Sequence, residues 1–116
     1  MFVYIFGVFN LRGALKAVKV GVTGNIDQRI CELQTGQILE IKLIAAWHTT
    51  SRKQAFWVER ETHIQYEKAG LRGEWFRPHI MKSLIYRVSE SMRKRPFTVQ
   101  PVDGTADYIN AARMKQ

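Results

Sequence analysis

The sequence predicts a small α+β domain in which helices pack on an antiparallel sheet. The chain has 116 residues, 46% of them apolar and 24% charged, which suits one domain of the usual 100 or so residues with a core that needs no staples. Apolar residues first recur in β-rich runs and later at helical spacing, in the order β-β-α-β-α-α. Glycines and side-chain caps punctuate these segments where turns are needed.

Residues 2–9 crowd Val, Tyr, Ile and Phe together and read as a strand. Asn10-Leu11-Arg12-Gly13 breaks the pattern, and residues 17–22 resume it with Val18, Val20 and Val22 alternating, so the two form a hairpin with a long basic loop. Asn25 is a natural N-cap for a short helix that stops at Gly36, with Ile26, Ile30 and Leu33 on one face and Arg29 beside it. Residues 40–47 form a third strand. Ser51-Arg52-Lys53-Gln54 is a capping box that opens the longest helix, expected to run to Ala69 and end at Gly70. Its inward stripe is Ala55, Val58, Thr62, Tyr66 and Ala69. Glu74-Trp75-Phe76 is a short strand or turn, residues 80–92 a third helix with Leu84, Ile85 and Val88 inward, and residues 106–114 a last helix beyond Pro96 and Pro101. Residues 1–79 are read as the core, and 80–116 as a basic helical extension of the same domain.

The single cysteine, Cys31, has no disulfide partner in the chain and no companions for a zinc knuckle, which points to a reducing compartment. No apolar run approaches the 18 or so residues of a membrane span, and Met1-Phe2-Val3-Tyr4 lacks the basic start of a signal peptide, so a cytoplasmic protein with no membrane partner is expected. The net charge is +8, and residues 77–116 carry eight Lys or Arg against three Asp or Glu. Such an excess favours a polyanion, because each phosphate neutralised releases condensed counterions. Solubility is the plain alternative.

Hairpin pairing places Tyr4 beside Lys19, so a phenol and an ammonium converge. The ammonium would favour the phenolate, making the pair a proton acceptor. Alone, each residue reads as structural. Arg29 lies on the following helix, where its planar fork could reach the same spot and meet a phosphate. Glu59 borders the inward stripe of the long helix, a costly place for a carboxylate unless it is paired or binds a cation. A salt bridge to Arg29 or Lys19 carries equal weight there. His63, one turn on, is a second ligand, a proton carrier or a packed ring. One carboxylate with phosphate and water suits magnesium or manganese better than zinc.

Val3-Tyr4-Ile5, Lys19-Val20-Gly21-Val22-Thr23, Gln28-Arg29-Ile30, the segment from Val58 to His63, and Gly73-Glu74-Trp75-Phe76 together resemble, in order and spacing, the motifs of the GIY-YIG nuclease superfamily. The similarity is greatest to its compact branch of phages and mobile elements, and it covers residues 2–78. It implies a central three-stranded antiparallel sheet and a single-metal endonuclease acting on DNA, in the cytoplasm of a bacterial or phage-infected cell. By this resemblance Tyr4 activates or positions the water, Lys19 supports the phenolate or contacts the phosphate, Arg29 stabilises the transition state, and Glu59 holds Mg²⁺ or Mn²⁺. Lys19 stands where the name motif has its second tyrosine, and Glu74 and Arg77 occupy the region where many relatives carry an asparagine.

Arg12, Lys16, Arg72, Arg77, Arg87, Arg93, Lys94 and Arg95 are the expected phosphate contacts, the last four forming a basic arm. Trp57, Trp75 and Phe76 are read first as core residues and second as base-stacking ones. With no zinc finger or helix-turn-helix signature, specificity is low, borrowed from a larger partner or obtained by homodimerisation. The competing readings are a non-catalytic nucleic-acid-binding accessory or decoy domain, and a module that docks an acidic protein.

Overall fold

β-Branched and aromatic residues make Phe2–Phe9 the first strand, β1, and Leu15–Thr23 the second, β2. A computed structural model describes residues 1–97; the helix expected over 106–114 and the rest of the basic extension lie outside them. The hairpin tip closes on Asn10, whose side-chain oxygen accepts from the backbone N–H groups of Arg12 and Ala14 at 2.9 Å each, while Gly13 takes the left-handed φ of 83°. β2 therefore starts two residues earlier than the sequence suggests, because the asparagine rather than the glycine sets the turn.

Asn25 caps the first helix, α1 (Ile26–Gln34), by accepting from the Gln28 N–H at 3.0 Å. The third strand, β3, is Glu40–His48. Ser51 caps the second helix, α2 (Arg52–Gln65), accepting from the Gln54 N–H at 3.1 Å. The reciprocal half of the box is relayed, since the Ser51 N–H donates to the Thr49 hydroxyl and that hydroxyl donates to Gln54. α2 ends earlier than its stripe implies: at Tyr66 the backbone leaves helical geometry, and a 3₁₀ turn over Glu67–Ala69 follows. Pro78 opens another 3₁₀ turn that leads into the third helix, α3 (Met81–Met92).

With Trp75–Phe76 as β4, the sheet is antiparallel with order β3-β1-β2-β4. Among the described residues it has four strands rather than three, because the two-residue β4 pairs with Val18 and Lys19. α1 covers one face, where Ile26, Ile30 and Leu33 pack against Tyr4, Phe6, Val8, Ala17, Ile41 and Leu43. α2 and α3 cover the other, closing the larger core around Val3, Ile5, Val18, Val20, Ile44 and Trp47. α3 contributes Met81, Leu84, Ile85, Val88 and Met92 to that core. Leu84 is fully buried, so Leu84→Ala should cost about 2–5 kcal/mol. Urea unfolding followed by circular dichroism checks this, and an unchanged midpoint would show that α3 is dispensable to the core.

Candidate active site

Side chains on a strand alternate between faces, so Tyr4, Phe6, Lys19 and Gly21 share one side of the hairpin, with Tyr4 opposite Gly21 and Phe6 opposite Lys19. The Tyr4 ring is buried, stacks on Phe6 with centroids 3.8 Å apart, and lies across Gly21. A Cβ at Gly21 would overlap the Tyr4 hydroxyl and ring carbons. That close approach is what the glycine permits.

Tyr4 and Lys19 share a face but stand diagonally across the hairpin, Tyr4 opposite Gly21 and Lys19 opposite Phe6, and they are not a phenolate–ammonium pair. Lys19 is 4% exposed, and its Nζ donates to the Glu74 carboxylate at 2.7 Å beneath the Trp75 ring. Arg29, anchored to Glu32 at 3.0 Å, comes within hydrogen-bonding reach of the Tyr4 hydroxyl instead. Burial raises the Tyr4 ionisation above its ordinary value despite that guanidinium, so the phenol is protonated at neutral pH.

Glu59 and His63 arrive from α2, over the edge of β2 that β4 leaves uncovered. His63 Nε2 lies 3.0 Å from the Val20 carbonyl, and the Glu59 carboxylate is within reach of the Val22 N–H. A carbonyl only accepts, so Nε2 carries the hydrogen and Nδ1 is the nitrogen left for chemistry. The His63 ring also packs on Phe76, with centroids 5.0 Å apart.

Glu59 forms no salt bridge among the described residues, because Lys19 pairs with Glu74 and Arg29 with Glu32. Burial pushes its carboxyl up, and the charges of His63, Glu74 and Lys19 all act on it. The Lys19 ammonium holds Glu74 below its ordinary value. Tyr4 feels both Glu59 and Glu74, and Glu74 feels Arg29. Tyr4, Lys19, Arg29, Glu59 and His63 thus share one field with Glu74, which the sequence reading places in a motif but not among the site residues. Its signal was Gly73, whose φ of 65° turns the chain immediately before it.

Among the described residues, no three His, Cys, Asp or Glu side chains group to hold a metal ion on protein donors. A single half-buried carboxylate lacking a cation partner fits a hard divalent ion completed by phosphate and water.

The predicted phosphate contacts are spread over the surface. Arg12 and Lys16 lie exposed at the hairpin tip, the opposite end of β1 and β2 from Tyr4 and Gly21. Arg72 and Arg77 are exposed on either side of β4, and Arg87 is exposed on α3. Arg93 is exposed, Lys94 donates to the His48 carbonyl at 2.9 Å on the β3 margin, and Arg95 is half-buried. Of the three aromatics first read as core, Phe76 is buried and Trp75 half-buried, whereas Trp57 is 56% exposed.

Residues 1–95 match the T5orf172 domain. The chain belongs to the T5orf172 domain family. This is a phage-associated domain of the nuclease-related superfamily, so the site above lies in a domain of nuclease type. Comparison with curated proteins and with solved structures gives no match. Among the described residues no helix of the T5orf172 domain is long and apolar enough to cross a membrane.

Two outcomes follow from this geometry. Because burial disfavours ionised Glu59, Glu59→Gln should raise the melting temperature at neutral pH, and the gain should shrink as pH falls and vanish by about pH 3, below the ordinary glutamate pKa, where the carboxyl is protonated in both folded and unfolded chains. Calorimetry across that range checks it; a gain independent of pH would assign the effect to packing. Gly21→Ala should cost about 1–3 kcal/mol in chemical unfolding, since the enclosed Tyr4 ring must shift to admit a methyl group.

Proposed function

We propose that this T5orf172 domain is a metal-dependent endonuclease that hydrolyses DNA phosphodiester bonds by a single-metal, GIY-YIG-type mechanism. The observation that carries the reading is the convergence of Tyr4, Lys19 and Arg29 with a half-buried Glu59 that has no cation partner. The +8 charge and the family support a nucleic-acid substrate.

In this reaction a water oxygen adds to phosphorus, the bond to the leaving alkoxide breaks, and the alkoxide takes up a proton. Tyr4, protonated, holds the water by accepting one of its hydrogen bonds; the proton the water loses passes to solvent. Arg29 presents its planar donors to the phosphate oxygens, where negative charge grows in the transition state. Lys19 exchanges Glu74 for a second phosphate oxygen. His63 is a positioning residue: its bond to Val20 and its contact with Phe76 hold it one turn from Glu59. Glu59 would hold Mg²⁺ or Mn²⁺, which supplies positive charge against the phosphate and the leaving oxygen. Sequence choice would come from a larger partner or a second copy of the chain.

Plasmid nicking in magnesium or manganese tests the proposal. Glu59→Ala and Arg29→Ala should each lose on the order of 10²- to 10³-fold in rate, with Glu59→Ala retaining DNA binding in chelator. Equal residual nicking by wild type and Glu59→Ala would overturn it, and salt-sensitive binding without cleavage in either metal would make the domain a non-catalytic accessory module.

A further inference from the structure

α2 has two apolar stripes, and only one of them is used by the core. Ala55, Val58 and Thr62 face the sheet and are buried. Phe56, Trp57 and Ile64 face outward and are 52%, 56% and 57% exposed. At helical spacing Lys53, Phe56, Trp57, Arg60 and Ile64 lie on the side opposite the core. Arg52, Lys53, Phe56, Trp57 and Arg60 line one shallow depression there. Two large rings left in water on a single helix face, while small residues fill the inner one, mark a surface built to be covered.

We infer that this face is a stacking platform for unpaired nucleotides, with bases lying on Phe56 and Trp57 and phosphates meeting Arg52, Lys53 and Arg60. Charge complementarity selects the occupant. Three cations surround the rings, and of the helix's two carboxylates Glu59 turns toward Val22, while Glu61 lies on the flank beyond Trp57. The open depression accepts a flat base, and alternating rings and cations suit a strand whose bases and phosphates alternate. A duplex hides its base faces, so the ligand is single-stranded. Phe56 stands one turn before Glu59, so a strand on the platform borders the catalytic edge. The inference concerns binding and does not require cleavage.

Fluorescence anisotropy of the full chain with labelled oligo-deoxythymidine and with a hairpin duplex, both in chelator, provides the test. Trp57→Ala should weaken single-strand binding roughly 10-fold, as should Phe56→Ala, and Trp57→Phe should restore most of the loss. Duplex binding should not change. Tryptophan fluorescence should be quenched by the oligonucleotide in wild type and much less in Trp57→Ala. Both rings are half in solvent, so neither substitution hollows the core, and matching melting temperatures confirm that the variants are folded. Unchanged single-strand affinity in both alanine variants would overturn the inference. So would loss of self-association in Trp57→Ala with oligonucleotide affinity intact, which would assign the face to a second copy of the chain. All binding is read in chelator, where no metal-dependent cutting takes place, so failure of the nuclease reading and failure of the platform are separate results.

Discussion

The uncovered edge of β2 is the constraint on which the rest of the structure depends. β4 is two residues long and meets Val18 and Lys19, so the polar backbone groups further along that edge need other partners. α2 supplies them, His63 to the Val20 carbonyl and Glu59 to the Val22 N–H. Four residues of helix and two residues of strand both advance about 6 Å. A helix running antiparallel along a strand edge therefore brings its side chains at i and i+4 onto backbone groups two residues apart. Ala55, Val58 and Thr62 make the match usable, because small inward residues let α2 lie close enough for a glutamate to reach the strand. The carboxylate is placed by sheet geometry before any ligand is considered.

How much of this the sequence carried depends on the range of the interaction. Tyr4 and Lys19 share a hairpin face by the two-residue alternation alone, and the α1 face of Ile26, Ile30 and Leu33 follows from its spacing. Glu59 at the margin of the inward stripe was visible in the same way. The identity of the ion pairs was not. Glu74 comes to Lys19 across 55 positions of chain, through a turn set by Gly73 and a strand of two residues, and no periodicity extends over so short a segment. α2 shows the other failure. Spacing gives the inward stripe, and Ala55, Val58 and Thr62 are buried, but Trp57 reads first as core on its size alone, although it lies on the face opposite that stripe and stays outside.

The electrostatics of the site balance without using Glu59. Lys19 is neutralised by Glu74 and Arg29 by Glu32. The remaining carboxylate is half-buried, disfavoured in its charged form, and one turn from a histidine whose Nε2 is already committed. A purely structural arrangement would remove that cost by placing glutamine at 59, since a neutral amide of the same shape would keep a polar atom near Val22. In the proposed reaction that retained charge is what would hold the cation.

Exposure decides which partner yields when an anion enters. The Lys19 side chain is 6% exposed and fixed by the strand and by Trp75, whereas the Glu74 side chain is 67% exposed on a turn. An ion pair with one member open to water loses little when that member swings out, because the freed carboxylate is fully hydrated. The buried ammonium has no such escape and must keep an anionic partner. In the proposed reaction a phosphate oxygen would take the place of the Glu74 carboxylate at Lys19, leaving the lysine where it stands. Releasing Glu74 also relieves the repulsion it exerts on Glu59 and on a developing phosphate charge. In that reading the ion pair is a placeholder that holds Lys19 in its buried position in the free protein, where the chemistry would use it.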